Sequence, residues 1–302
     1  MLMSLVDDFI GCERILEVSS RCHIRFAANS FVVEARAEDR RTTVPSGDVL
    51  ALVLESEMAT ISVAALAACG ERGIAVVCCR RHLPVSLSLP VATGWNGAQM
   101  RRLQSRALRG DAAARRLWRR TVRAKILVQA KLLEGLGVDG ARRVKRLAGD
   151  VGLDGQETTE AQAAAIYWRA LFADFERSDE EDPRNGLLNW GYAVLLATIG
   201  RALVALGFDP SLGFGHASRT NSWALACDLM EPFRPTIDAA VSSGILEHGG
   251  IDAPSIKAKI LVPFANDGPA KRQILEVVRG YREFLDDGNE TRVRYPDGPL
   301  AA

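Results

Sequence analysis

The sequence predicts an α+β protein in which a small β-rich segment precedes a larger all-helical one. Three observations carry this reading. Over the first ninety or so residues, apolar and β-branched side chains fall in short runs of strand length bounded by turn residues. The stretch Val91-Ala92-Thr93-Gly94-Trp95-Asn96-Gly97 then breaks the pattern, and everything after it follows a helical period. Finally, 302 residues with 48% hydrophobic and 25% charged side chains suffice for a sizeable core. The expected division is a β-rich part over 1–92, a linker over 93–98 and a helical part over 99–302.

In order along the chain, Arg14–Val18, His23–Phe26 and Phe31–Ala35 read as strands, with Ala28-Asn29-Ser30 turning between the second and third. Val49–Leu54 and Ile74–Cys79 are apolar throughout, as strands covered on both faces or packed in a sandwich must be. Between them Ser62 is placed to cap a short helix running to Cys69 and ending at Gly70. Val85–Leu89, between two prolines, closes the β part. Gln99–Gly110 and Asp111–Leu136 are rich in Ala, Leu, Arg and Lys, all good helix formers. Asp111 is placed to cap the second of these, and Gly135 and Gly137 to end it. Thr158 or Thr159 is expected to cap a helix that carries Glu160 in its first turn and continues to about Phe175. Leu187–Leu206 follows, stopped by Gly207 and Pro210. Asn221 or Ser222 starts a helix to Met230, and a late helix covers about Pro269 to Leu285 before a polar tail.

A net charge of +1 conceals strong asymmetry. Arg101, Arg102, Arg106, Arg109, Arg115, Arg116, Arg119, Arg120, Arg123, Lys125, Lys131, Arg142, Arg143, Lys145 and Arg146 crowd one stretch, opposed there by Asp111, Glu134 and Asp139 alone. Arg115, Arg116, Arg119, Arg120 and Arg123 make a basic stripe along successive turns. It fits either a phosphate-binding surface or a solvated helix face. No pair of the six cysteines has CxxC spacing, so a zinc site is unsupported. The N-terminus lacks the basic region and cleavage site of a secretory signal, which points to the reducing cytoplasm. Leu187–Leu206 approaches the length of a membrane span, but Asn189 and Arg201 interrupt it, which favours a buried core helix.

Three acids and one histidine could carry chemistry. Asp228 and Glu231 stand three apart, so on a helix their carboxylates share a face and could converge on magnesium or manganese. From spacing alone, pairing with Arg234 or capping of surface charge near a helix end is the more ordinary explanation. His216 sits among glycines in Gly213-Phe214-Gly215-His216, on a loop, where function and simple hydrogen bonding are both common. Glu160 near a helix start is accounted for by capping alone. Neither a Walker loop nor a dinucleotide GxGxxG follows a strand in this sequence.

Longer strings give these residues a context. Asn189-Trp190-Gly191-Tyr192-Ala193-Val194-Leu195-Leu196, then Gly207-Phe208-Asp209-Pro210 leading to Gly215-His216, then Leu225-Ala226-Cys227-Asp228-Leu229-Met230-Glu231-Pro232-Phe233-Arg234-Pro235 occur in order. With the acidic helix Glu160–Trp168 and the N-terminal Val44-Pro45, Gly73–Val77 and His82-Leu83-Pro84, they resemble the CRISPR adaptation integrase family over nearly the whole chain. The resemblance implies an N-terminal β-sandwich, a helical catalytic domain and a homodimer. It implies an endonuclease and integrase that inserts spacers into a CRISPR array, with Glu160, His216 and Glu231 binding a catalytic Mg2+ or Mn2+ and Asp228 as a supporting acid. Double-stranded DNA and a small companion adaptation protein are the implied partners. The string Asp228–Arg234 looks most like members from systems with a single large effector, of type II. A stand-alone nuclease for branched DNA in repair and a catalytically silent DNA-binding scaffold are the alternatives.

Overall fold

In a strand, successive side chains point to opposite faces, so a run that is apolar at every position has to be covered twice. The computed structural model, which describes residues 14–35, 40–80, 83–88, 100–105, 111–152, 156–215, 221–264 and 268–300, shows how this is done. Strands β1 (Arg14–Val18), β2 (His23–Ala27), β3 (Ser30–Ala35), β4 (Arg40–Pro45), β5 (Val49–Leu54) and β6 (Thr60–Ile61) are followed by helix α1 (Val63–Arg72), β7 (Ala75–Arg80) and β8 (Leu83–Ser88). They form two four-stranded sheets, β1-β5-β7-β8 and β4-β3-β2-β6. In the first sheet β5 and β7 are parallel, and α1 lies in the connection that a parallel pair requires.

The two faces of the first sheet serve different cores. Leu52 and Val76 join Ile24, Phe31, Val44, Ala65 and Cys69 in a core shared with the second sheet and α1. Ala51, Val53, Ala75, Val77 and Cys79 point the other way, into the helical core. The β2–β3 hairpin turns at Ala28 and Asn29, both with positive φ, as a two-residue turn needs. Ser62 caps α1 by accepting from the Ala65 amide, as expected. The helix runs past Gly70, however, and ends where Gly73 takes a left-handed conformation with φ 64°. Strand β4 carries Arg, Thr and Pro and β6 is only Thr60–Ile61, so neither shows the apolar run that marks the other strands in sequence. The expected linker, 93–98, lies outside the described residues.

The helical part comprises α2 (Asp111–Gly135), α3 (Ala141–Leu147), α4 (Gln156–Leu171), α5 (Pro183–Ala205), α6 (Ala224–Met230), α7 (Arg234–His248), α8 (Ala253–Leu261) and α9 (Pro269–Asp287). Helices α3, α7 and α8 had no counterpart in the sequence reading. Pro235 and Pro254 look like breakers in sequence but occupy first-turn positions, where no backbone donor is lost. Helix α5 begins four residues before Leu187, because Asp182 caps it, accepting from the Arg184 amide at 2.8 Å, with Pro183 next. Among the described residues it is the one helix long and apolar enough to cross a membrane, but 83% of its apolar window is buried inside the protein. It packs against β5, β7 and β8 on one side and α6, α7, α8 and α9 on the others. Lys257 of α8 ties the two parts further, reaching Glu17 at 2.5 Å and Glu55 at 3.2 Å while lying over the Trp190 ring.

Helices α4, α5 and α7 meet at one buried polar point. Asp238 accepts hydrogen bonds from the hydroxyls of Tyr167 at 2.6 Å and Tyr192 at 2.5 Å. Burial pushes its carboxyl up to about 6, against the downward pull of the two tyrosine hydrogen bonds and of Arg234 and Arg177. A carboxyl raised on folding binds more protons in the folded chain than in the unfolded one. Its contribution to stability is therefore greatest below about pH 4 and is lost as pH rises through 6. Asp238→Asn removes that titration. Denaturant unfolding across this range should show wild type gaining on the variant as pH falls from 7 to 4; a constant difference would refute it.

Candidate active site

Glu160 lies on the stripe of α4 that Ala163 and Tyr167 continue, both fully buried, so its side chain points inward. The helix starts at Gln156, which places Glu160 beyond the first turn rather than at a capping position. Glu231 opens the 3-10 turn Glu231–Phe233 between α6 and α7. Helix α2 packs against both α4 and this turn, and contributes Lys125. Its ammonium donates to Glu160 Oε1 at 2.6 Å and lies 2.6 Å from Glu231 Oε2. Arg234 takes the other oxygen of Glu231 at 2.9 Å and stacks over the Tyr192 ring.

The electrostatics follow from this burial. The Glu231 side chain is 5% exposed and that of Glu160 24%, so the site opens on the Glu160 side. Burial pulls the Lys125 ammonium down, but Glu231 and then Glu160 outweigh it and hold it above its ordinary value. Burial likewise works against the Arg234 guanidinium, and Glu231 together with Tyr192 and Cys227 more than offsets it. In sequence Lys125 is one more member of the basic run, with nothing in its residue type to mark where it points. Its spacing from buried Thr121 and Gln129, four residues to either side, is the signal that was available.

Asp228 has a different task. It is fully buried in α6, and its Oδ2 accepts from the amides of Phe214 at 2.5 Å and Gly215 at 2.9 Å. The structure thus brings Glu231 to Glu160, and Asp228 to the loop that precedes His216. That loop is held at several points. Gln104 makes paired bonds with the backbone of Asp209, at 3.0 and 2.9 Å, and the Pro210 carbonyl accepts from the Leu225 amide. Phe214 packs between Trp118 and Tyr281. A Cβ on Gly213 would come within 2.7 Å of the Asp228 carboxylate, and one on Gly215 would enter the Trp118 ring, which is why both are glycine. His216 itself lies outside the described residues.

Among the described residues no group of three or more His, Cys, Asp or Glu is placed to hold a metal. Glu160 and Glu231 nevertheless converge on a single cation, the ammonium of Lys125. Two carboxylates around one cation position are the hard oxygen donors that magnesium and manganese take, so the residues present fit such an ion. On the basic stripe, Arg116 pairs with Glu290 at 3.2 Å and Arg120 donates to the Val293 carbonyl, tying the C-terminal segment to α2. Arg115 and Arg123 are exposed and Arg119 is half-buried. On α3, Arg142, Arg143, Lys145 and Arg146 are exposed around the buried Val144.

If Asp228 is the latch of this loop, Asp228→Ala should raise amide hydrogen exchange at Phe214 and Gly215 by roughly tenfold or more while α6 keeps its protection. Unchanged exchange at those two amides would contradict the assignment.

Comparison with known proteins agrees with this architecture. The family model for CRISPR associated protein Cas1 matches residues 17–252. The CRISPR-associated endonuclease Cas1 of Neisseria meningitidis is 31% identical over 267 residues, covering 84% of this chain and 87% of that protein. Among solved structures, a casposase bound to integration product superposes with a TM-score of 0.74 at 16% identity, over 94% of this chain and 95% of that one. A chain of a Cas6-RT-Cas1–Cas2 complex superposes with a TM-score of 0.76 at 16% identity, over 94% of this chain and 36% of that longer one. With more than three quarters of its length matched by the family model and a relative at this identity over most of both chains, the protein belongs to the Cas1 family of CRISPR-associated proteins.

Proposed function

We propose that this protein is the metal-dependent DNA endonuclease and integrase of CRISPR adaptation, joining a 3′-hydroxyl of an incoming DNA fragment to a phosphodiester at the repeat boundary. One observation carries the reading: Glu160 and Glu231, far apart in sequence, meet at one buried cation position. Glu160, Glu231 and His216 would hold Mg2+ or Mn2+. That ion would supply charge neutralisation at the phosphate oxygens, which otherwise repel a nucleophile.

The remaining work falls to the protein. Arg234 fixes the orientation of Glu231 by occupying its second oxygen. Asp228 supports His216 indirectly, by anchoring the two amides before it. The exposed Arg115 and Arg123, with Arg119, would contact the phosphate backbone of double-stranded DNA without reading its sequence. A homodimer acting in the cytoplasm with a small companion adaptation protein completes the proposal. The companion finds support in the Cas1–Cas2 assembly with which the chain shares its fold.

The test is strand joining of a short duplex into a repeat-bearing plasmid, with Mg2+ or Mn2+ and the companion protein. Glu160→Gln, Glu231→Gln and His216→Ala should each reduce joining at least a hundredfold without loss of fold; full activity in any one removes that residue from the site. The DNA contacts make a separate prediction. Replacing Arg115, Arg119 and Arg123 with Gln should weaken duplex binding, and should flatten the plot of log affinity against log salt by roughly one unit per arginine. An unchanged slope would place the DNA elsewhere.

A further inference from the structure

Among the described residues, the carboxylates and cations in direct contact at the centre of the site are equal in number. Two carboxylates, Glu160 and Glu231, face two cations, Lys125 and Arg234, at separations between 2.6 and 2.9 Å. Asp228 is engaged with loop amides. A divalent ion added to these four side chains would leave positive charge in excess among them in a largely buried place, where charge is poorly screened. Phosphodiesters are the anions a DNA-processing site can expect to receive.

We propose that Lys125 is a resident counter-cation that occupies the metal position in the metal-free protein, and that its displacement makes metal binding depend on DNA. The inference rests on the metal-site reading above and deepens it. The geometry suits the role. Among the described residues Lys125 is the one that bridges the two carboxylates, whereas Arg234 touches Glu231 from the other side. A lysine is a point charge on a flexible four-carbon stem, able to leave two carboxylates and meet a phosphate oxygen nearby. Arg234 is pinned over Tyr192 and stays. In the metal-free chain Lys125 keeps two like charges together; once DNA is present it serves the phosphate instead. Such coupling would keep the nuclease without its metal until a substrate is in place.

The experiment is a Mn2+ titration of the full-length protein, reading free Mn2+ by electron paramagnetic resonance, with and without a short duplex at fixed salt. Wild type should bind Mn2+ weakly alone and at least tenfold more tightly with DNA. Lys125→Met should bind Mn2+ without DNA roughly tenfold more tightly than wild type or better, and should gain little when DNA is added. Lys125→Arg, which keeps the charge and grips both carboxylates, should bind no more tightly than wild type. Circular dichroism and thermal melting report the fold. If Lys125→Met is too unstable to titrate, Mn2+ should raise its melting temperature more than it raises that of wild type.

A folded Lys125→Met protein whose DNA-free Mn2+ affinity equals or falls below that of wild type overturns the proposal. So does Lys125→Arg binding more tightly than wild type, or an unstable Lys125→Met that Mn2+ stabilises no better than wild type. Wild type that binds Mn2+ no better than a Glu160→Gln/Glu231→Gln double variant, with DNA present, removes the metal site itself and this inference with it.

Discussion

Two carboxylates cannot be brought together inside a protein unless something positive comes with them. Glu160 and Glu231 meet this condition through Lys125, and the requirement reaches far into the fold. Helix α2 supplies the lysine, α4 one glutamate and the turn between α6 and α7 the other, so three separate elements are fixed by one ammonium. Removing one partner of such a buried pair typically costs about 3–5 kcal/mol, because the other charge is left without compensation. The α4–α5–α7 junction at Asp238 imposes a similar constraint one turn or more away. There Tyr167, two turns along α4 from Glu160, must stay within hydrogen-bond reach of α7. The two polar points together fix both the position and the rotation of α4, and with them the direction in which Glu160 faces.

The scaffold beneath this arrangement is the two-faced sheet and α5. Because β5 and β7 bury alternate residues in two cores, the β part is anchored to the helices by side chains rather than by its connection alone. Helix α5 is apolar around most of its circumference because it has neighbours on nearly every side. That is why a stretch with the composition of a membrane span is here the core of a helical bundle. Its few polar residues have assigned partners, such as Arg201, which donates to the Val49 carbonyl across the junction with the sheet.

What could be read in the sequence follows from what is local. Uninterrupted apolar strands, helix-forming runs and caps such as Ser62 announce themselves within a few residues. So do the glycines at 213 and 215, although the reason for them, contact with Asp228 and Trp118, belongs to distant parts of the chain. Strands β4 and β6 were hidden because an edge strand need not be apolar, and its residues are chosen by neighbours in space. The spacing of Asp228 and Glu231 suggested one shared role. Among the described residues Asp228 meets the Phe214 and Gly215 amides while Glu231 meets Lys125 and Arg234, partners that, Arg234 apart, lie far from either acid in sequence. Helical periodicity cannot see such partners. Lys125 was hidden by its company: within a run of arginines it reads as one more surface charge, and only its phase against Thr121 and Gln129 separates it from them.

That phase has a consequence for how α2 works as a whole. Lys125 lies on the buried side with Thr121, Val122 and Gln129, while Arg115 and Arg123 are exposed on the same helix. Positive charge on one rigid element therefore faces two ways, toward the carboxylates within and toward solvent without. The C-terminal segment reinforces this separation. Glu290 and the Gly288 and Val293 carbonyls take up Arg116 and Arg120, and the Tyr295 hydroxyl lies 2.6 Å from Thr121 Oγ1. A helix held along one flank in this way can neither roll nor slide easily. The exposed arginines of α2 are thereby held at a fixed height relative to Glu160, whose side chain is the more open of the two carboxylates.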